Sequence, residues 1–469
     1  MKNFLLITLI SFIILFTPWV FVYKSGINTL AVQSEDTLPA MFLPVTILKE
    51  GTFYIDTYYP MLLQKYPHPD DKSYTKGLTP FYLRKAGSHY ISAFPVASGL
   101  LALPVYAAPV LLNMPITWNN LILLSHVSSA LIMSFSGGFL YLLLKKHFSL
   151  SNKLIFTLTA IYLFGSVNFA MVSQALWQHG PVQLFTILGV YFLLNVYRPK
   201  TSSGVFKDLF FSGLFLGLAI LSRPTAGISL AFLWLLILIP NLKNIRELFK
   251  QSFFYGLGVI PVAAFFLWYN QTFYLNIANQ GYSNQLQNNW LGRFPEGFLG
   301  IWLSPSKGIL IYSPIIIFSL VGFGLILKQV IKQKTWQKNL HYLTFALIVL
   351  VHVLVMGKWK HWYGGYSFGY RMASDIIPYL ILLIVPYITS NLFAKTKKLF
   401  YILFGLSVCV ELFGIVFFDG VWHAAYDKGF VDTRWLWSLK DSEFVFNIRR
   451  ILVKLGILVK ACPNCLPKS

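Results

Sequence analysis

The sequence predicts an all-α integral membrane protein, a bundle of about eleven transmembrane helices, from three observations. Its 469 residues are 56% hydrophobic and only 12% charged, with a mean hydropathy of +0.62; a soluble chain of this size carries about 25% charge. Apolar runs of about 20 residues recur, each long enough at 1.5 Å per helical residue to cross a hydrocarbon core of roughly 30 Å. The lysines and arginines gather in the short loops between those runs.

Taken in order, the spans read as residues 4–23, 119–144, 153–172, 181–197, 207–222, 225–241, 251–270, 308–327, 340–357, 376–391 and 399–418. The first follows only Lys2; it is long for a cleaved signal peptide and no A-x-A-like site follows, so it reads as a retained anchor. Five connections are basic: Lys145, Lys146 and Lys153; Arg198, Lys200 and Lys207; Lys243, Arg246 and Lys250; Lys328, Lys332, Lys334 and Lys338; Lys395, Lys397 and Lys398. With these spans all five lie on one side, and the positive-inside rule makes that side the cytoplasm. The net charge of +22 therefore has a membrane cause, and no basic patch is interleaved with a soluble module that would bind nucleic acid.

The opposite side receives the long, chemically varied segments: a first outer loop at 24–118, a WQHG turn at 177–180, then 271–307, 358–375 and the chain from 419. Long loops are where function concentrates. Residues 91–112 are apolar enough to span but hold Pro95, Pro104 and Pro109, and read as a proline-broken juxtamembrane helix on the outer face; if they crossed, 24–90 would be cytoplasmic. Residues 1–442 form one transmembrane domain. In the remainder, 443–469, Phe444, Ile448, Leu452, Leu455 and Val459 recur at helical spacing, with Arg449, Arg450, Lys454 and Lys460 largely elsewhere, as in a helix lying on the interface. Cys409 sits in an apolar run; Cys462 and Cys465 form a CPNC that is either a local disulfide or half a metal site, with no second Cys or His pair at zinc spacing.

Candidate chemistry lies in the outer segments. Glu35 and Asp36 follow the first span by about a dozen residues and Asp56 comes twenty later. Between them TLPAMFLPVTILKE reads as a short amphipathic helix capped by Asp36 or Thr37, with Pro39 in its first turn. Asp36 is thus either a cap or a carboxylate held at the membrane face as general base for an acceptor hydroxyl or amine. In KWKHWYGGYSFGYRMASD, Lys358, Lys360, His361 and Arg371 supply cations for a phosphate leaving group, and Trp362, Tyr363 and their aromatic neighbours supply faces on which a sugar stacks. The competing reading is an interfacial aromatic belt with snorkelling cations, and an Arg371–Asp375 pair at i, i+4. Lys307 in LSPSKG and His179 in WQHG are further phosphate or acid–base candidates, each equally readable as a helix-end residue, and Arg223 before Pro224 is a third. His126, His352 and Glu411 fall within spans, where they need hydrogen-bond partners. No Ser-His-Asp order, zincin motif or Rossmann glycine run is present, and no close carboxylate cluster calls for a metal.

An acidic residue soon after the first span, followed by a juxtamembrane helix, resembles the GT-C superfamily of membrane glycosyltransferases, which includes protein O-mannosyltransferases, aminoarabinose transferases and oligosaccharyltransferase catalytic subunits. The runs SEDTLPAMFLPVTILKEGTF, GSHYISAFPVASGLLALPVY, LWQHGP, LSRPT, LSPSKGILIYSP, HWYGGYSFGYRMASDIIP and RWLWSLKDSEF look like those of a bacterial group of GT-C-like membrane proteins and extend the resemblance over nearly the whole chain. Three positions depart from its pattern: Glu35 stands where Gly is expected, Tyr370 where Pro is expected, and Pro95 alone where two prolines are expected.

The resemblance implies a GT-C-like bundle with outer-face juxtamembrane helices, in the plasma (inner) membrane, with its active site extracytoplasmic. It implies transfer of a sugar, with inversion, from a polyprenyl-phosphate carrier to a lipid, glycan or protein acceptor. Asp36 takes the position of the base, and Arg371, Lys307 and Arg223 lie near the carrier phosphate. The donor lipid is the only cofactor-like group expected, with a divalent metal left open. The alternatives are a lipid-linked glycan polymerase or ligase, which needs Arg371 more than Asp36, a lipid or sugar flippase, and a scaffold without activity.

Overall fold

The computed structural model describes residues 2–198, 201–278, 281 and 288–458. The CPNC motif, Val459, Lys460 and Lys200 lie outside the described residues. Among the described residues nine helices are long and apolar enough to cross a membrane. In chain order the helices are α1 (Lys2–Pro18, continued by a π turn Trp19–Tyr23), α2 (Leu38–Glu50), α3 (Tyr59–Lys65), α4 (Ala97–Leu111), α5 (Trp118–His147), α6 (Asn152–Phe164), α7 (His179–Asn195), α8 (Ser202–Ser222), α9 (Gly227–Leu233), α10 (Leu235–Asn241), α11 (Ile245–Phe273), α12 (Glu296–Leu303), α13 (Ile309–Tyr312), α14 (Ile317–Gln333), α15 (Leu340–Gly357), α16 (Ile377–Ile388), α17 (Asn391–Phe417), α18 (Val421–Tyr426) and α19 (Glu443–Lys454). The chain is an all-α membrane protein; among the described residues one hairpin pairs β1 (Leu83–Ala86) with β2 (His89–Ser92), Leu83 opposite Ser92.

Several of the eleven expected spans are short or broken. Helix α6 ends after 13 residues at Gly165 and is followed by a π turn Asn168–Val172, while α7 has 17 residues. The span expected at 308–327 is also broken: α13 stops at Ser313–Pro314 before α14 runs to Gln333.

The helix ends follow the charge pattern. Helices α6, α8 and α11 begin in basic loops on Ser151, Thr201 and Asn244, whose side chains accept backbone N–H groups of the first turn. Lys145, Lys146 and His147 close α5, where cations meet the negative end of the helix dipole. Lys146 reaches the hydroxyl of Tyr191 at 3.0 Å, and Phe148 packs on Tyr342 with centroids 6.1 Å apart, so the basic ends of α5, α7 and α15 gather at one end of the bundle.

Close helix contacts are made through glycine. A Cβ on Gly213 would lie 1.9 Å from the carbonyl oxygen of Tyr255, and one on Gly258 would lie 2.0 Å from that of Phe210, so α8 and α11 touch backbone to backbone. The Arg371–Ile388 segment, carrying α16, is the central span, with 89% of its apolar window buried, whereas the windows of α1, α11 and α17 are 22–28% buried. Leu5, Leu9 and Ile13 on α1, Phe249, Phe253 and Ile260 on α11, and Leu399, Ile402 and Leu406 on α17 are exposed, as lipid-facing side chains are.

Segment 24–118 folds against this bundle as a layer of its own. Helix α2 starts after Thr37 with Pro39 in its first turn, as expected, but it is buried rather than amphipathic: Leu38, Met41, Phe42, Leu43 and Val45 are all enclosed. Its partner is α4, where Gly99 lets Leu43 approach; a Cβ there would sit 2.7 Å from a Leu43 methyl. Helix α4 has 15 residues, a rise of about 22 Å, too short for a roughly 30 Å core. In the C-terminal segment α19 is amphipathic, but Phe444 docks on Tyr312, Phe368 and Phe413 while Ile448 and Leu455 remain exposed.

Each of the three intraspan candidates has one polar partner, and the second Glu411 oxygen has none among the described residues. His126 Nε2 meets the Ala31 carbonyl at 2.9 Å, His352 Nε2 meets the Met372 carbonyl at 2.9 Å, and one Glu411 oxygen accepts the Ala170 N–H at 3.3 Å.

Candidate functional site

A cavity of about 940 Å³ opens at the end of the bundle opposite the basic loops. Its walls come from residues 30–36 and the later first loop (Tyr66, Phe81, Phe94), from Arg223–Thr225, from Asn289 and Trp290, from the stretch between Met356 and Met372, and from 419–427. None of the five basic connections contributes to it. Its size suits a ligand larger than a monosaccharide, and the mixture of rings, carboxylates and cations gives it both apolar and polar walls.

The charged floor is built from four segments. Glu35 and Asp36 sit side by side on a 3₁₀ turn, Glu35–Thr37. Asp36 accepts from Nη2 of Arg371, a side-chain pair in which both partners are mostly buried. The Arg371 guanidinium also donates from Nη1 to the Gly364 carbonyl at 3.2 Å, and from Nε to Nε2 of His179 at 3.4 Å, while its plane lies 4.4 Å from the centre of the Trp177 ring. Trp177 is held in turn by Gln33, whose Oε1 accepts the indole N–H at 3.1 Å.

Below Arg371 the network continues inward. His179 Nδ1 lies 2.8 Å from Oδ1 of Asp375, and Arg223 donates from Nη1 to Oδ2 of the same carboxylate at 2.7 Å. Arg223 Nη1 and Ser374 Oγ each also lie 2.8 Å from Nδ1, so Asp375, Arg223 and Ser374 converge on one edge of the ring while Nε2 faces the Arg371 Nε donor. Asp36, Arg371, His179, Asp375 and Arg223 thus form one continuous chain of ionic and hydrogen-bond contacts. Asp375 pairs with Arg223 and His179; the i, i+4 pair with Arg371 does not form, because Arg371 turns toward Asp36 and Trp177.

Backbone shape makes the turn possible. Gly364, Gly365 and Gly369 have φ of +87°, +61° and +65°, a region that disfavours side chains. A Cβ on Gly364 would also lie 2.9 Å from the Cβ of Arg371, so a side chain there would displace the guanidinium stem.

Two ionisable groups of the wall are uncommitted among the described residues. Burial, and secondarily the Asp36 carboxylate, push the Glu35 carboxyl up to about 7. Lys360 pairs with no carboxylate there and carries its ammonium over the Phe430 ring at 5.4 Å. His361 hydrogen-bonds the Tyr363 hydroxyl at 2.9 Å, and burial, then Lys360, lower its pKa.

Five expected site residues lie elsewhere. Asp56 is turned onto the hairpin, where it meets His89 at 2.6 Å and accepts the Tyr90 N–H at 2.6 Å, both side chains more than a third exposed. Lys358 is exposed outside the cavity. Trp362 and Tyr363 are buried behind the wall, Trp362 against Gly300 and Tyr363 against Trp435. Lys307, expected at the outer mouth of a span, is fully enclosed as well: its ammonium donates to the Ser367 carbonyl, lies 2.9 Å from His423 Nε2, and sits 5.6 Å from the Trp422 ring. Burial pulls it down to about 8. Lys307 holds the glycine-rich loop from behind and cannot touch a ligand in the cavity.

Sequence reasoning missed Gln33, Trp177, Tyr66, Asp419 and Asp427. The WQHG turn carried the one available signal for Trp177; the others are ordinary loop residues until the fold assembles them. Among the described residues no group of three His, Cys, Asp or Glu side chains is arranged to hold a metal ion. Comparison with protein-family models, with curated proteins and with solved structures finds no match for the chain, leaving the chemistry of the cavity to carry the functional conclusion.

Proposed function

We propose that the protein is a membrane glycosyltransferase that moves a sugar from a polyprenyl-phosphate carrier to an acceptor at the extracytoplasmic face of the plasma (inner) membrane. The observation that carries this is the Asp36–Arg371 pair set in a large, mixed-polarity cavity beside Glu35 and Lys360. Glycosyl transfer from a lipid phosphate needs a carboxylate for the acceptor's proton, cations for the phosphate charge that develops, and apolar and aromatic walls for prenyl chain and sugar. In this reading Arg371 and Lys360 face the phosphate, the Glu35–Asp36 turn faces the acceptor, and Trp359, Tyr366 and Phe94 flank the sugar and the first prenyl units. Arg223 and His179 act one step back, by holding Arg371.

Sidedness is part of the proposal. With α6 and its π turn counted as one crossing and α7 as another, there are eleven spans, and every cavity segment falls on the side away from the five basic loops. The positive-inside rule then makes that side extracytoplasmic.

The test is transfer by the full-length protein in liposomes from a panel of labelled polyprenyl-phosphate sugars. Label passing to a glycan, lipid or protein acceptor, and lost in Arg371→Lys, supports the reading. Movement of the donor between leaflets with no glycosyl product supports a flippase instead.

A further inference from the structure

We propose that Glu35 is the group that takes the acceptor's proton, and that its neighbour Asp36 is a positioning residue that fixes Arg371. The assignment rests on the transferase reading and divides the labour within its carboxylate pair.

The two side chains leave the same 3₁₀ turn, and both line the cavity, but their engagements differ. Asp36 is spent on Arg371, and that guanidinium is bound on its other edges by Gly364, His179 and Trp177. A proton placed on Asp36 would leave Arg371 without its counter-ion, at 13% side-chain exposure, which is the costly way to break a buried pair. The Glu35 carboxyl makes no hydrogen bond and no ion pair with another described residue, while standing in the cavity wall. Its gain of a proton removes repulsion with Asp36 rather than breaking an attraction.

The titratable groups that face it come from three segments, and only Asp36 adds to burial in raising it. Asp36 is on its own turn; Tyr66 and Tyr82 face it from the first loop; Tyr366 faces it from the glycine-rich loop. Of the cations lining the same cavity, Arg371 and Arg223 are committed to Asp36 and Asp375, which leaves Lys360; His361, bonded to Tyr363, is held toward its neutral form. Asp419 is held by Arg450 at 2.7 Å, and Asp427 accepts the Gly429 N–H at 2.7 Å. A carboxyl poised near 7 is suited to accept a proton at neutral pH and to release it again.

The step balances as follows. The acceptor oxygen or nitrogen forms its bond to the anomeric carbon, and the bond from that carbon to the phosphate oxygen breaks. The electron pair leaves with the polyprenyl phosphate, whose charge Arg371 and Lys360 face. The acceptor proton passes to a Glu35 oxygen and from there to water.

The experiment is the initial rate of transfer in liposomes from about pH 5 to pH 9, for wild type, Glu35→Gln, Glu35→Asp and Asp36→Asn, each checked for monodispersity. The wild-type kcat should rise through a limb near the Glu35 value of about 7 and then level. Glu35→Gln should lower kcat by about 10²- to 10⁴-fold, leave the donor KM within about threefold, and abolish the limb. Glu35→Asp should keep a displaced limb, and Asp36→Asn should raise the donor KM while keeping the limb. Glu35→Gln with near-normal kcat, or with the limb intact, overturns the assignment while leaving the transferase reading standing. Wild type that transfers from no donor overturns the transferase reading, and this assignment with it.

Discussion

Arg371 donates to Asp36 across 335 positions of sequence, and this pair joins the first loop to the loop before the central helix α16. The pair does two things at once. It closes the first-loop layer onto the bundle, and it aims a guanidinium at the cavity with no freedom to swing away. A buried pair of this kind is weak evidence of stability for its own sake, because desolvation offsets much of the attraction. Its value is geometric, and the experiments below separate geometry from stability.

Arg371→Lys should not be conservative. A lysine keeps the charge but loses the fork that reaches Asp36, Gly364 and His179 together, and loses the planar stack on Trp177. We expect transfer to fall by about 10²-fold or more with a modest change in melting temperature. An Asp36→Asn, Arg371→Gln double variant should be less destabilised than the sum of the singles, because each single variant orphans a charge. Additive melting shifts would show that the two side chains are not coupled in the membrane.

Asp375→Asn should damage the site through its neighbours. An amide keeps one acceptor oxygen where the carboxylate has two and carries no charge, so Arg223 and His179 can no longer both be held, and His179 in turn loosens beneath Arg371. The predicted outcome is a loss of both stability, on the order of 3–5 kcal/mol, and transfer. Asp56→Asn is the matched control: its pair with His89 is more than a third exposed, so stability should change by less than about 1 kcal/mol and transfer stay near wild type.

How much of this was legible in the sequence depends on distance along the chain. Nine long apolar helices among the described residues, the basic connections and the start of α2 follow from local pattern, whereas the short α6 and α7 and the break at Ser313–Pro314 do not. The runs that build the floor (SED, LWQHGP, LSRPT and YRMASD) were singled out individually. Their pairing was not, because an i, i+4 partner for Arg371 was visible in Asp375 and a partner 335 positions away was not. Lys307 illustrates a second limit. A lysine before a glycine at a helix start reads as interfacial, and only the fold of α18 and the glycine-rich loop encloses it. Helix α2 illustrates a third: its apolar residues suit a membrane face and a protein interior equally, and α4 decides which.

A pH signature should come from Glu443. It is buried against Tyr312, whose hydroxyl donates to it at 2.8 Å, and burial pushes its pKa up to about 7, partly offset by Lys307. A raised carboxyl binds its proton more tightly folded than unfolded, so its contribution to stability is present below the ordinary value of 4.5 and is lost as pH rises to 7. The melting temperature of Glu443→Gln, relative to wild type, should therefore climb from pH 4.5 to pH 7 and then level. A difference that is flat over that window would show that Glu443 titrates as it would in water.

Sidedness can be read by labelling single cysteines, in a background lacking Cys409, Cys462 and Cys465, with a reagent that does not cross the membrane. Cysteine at the exposed positions Asp70 and Tyr74 of the first loop should react from outside intact cells, and cysteine at Lys334 and Lys397 only after permeabilisation. Reaction of the first-loop positions only after permeabilisation would move the cavity to the cytoplasmic side.

The most direct measurement is a cryo-EM map of the protein in a lipid nanodisc with a bound polyprenyl phosphate. The account predicts phosphate density in the cavity within hydrogen-bond reach of Arg371 or Lys360, with the prenyl chain running out along the apolar wall toward lipid. Phosphate density at the basic end of the bundle, near the loops of Lys334 and Lys397, with the cavity empty at saturating ligand, would contradict it.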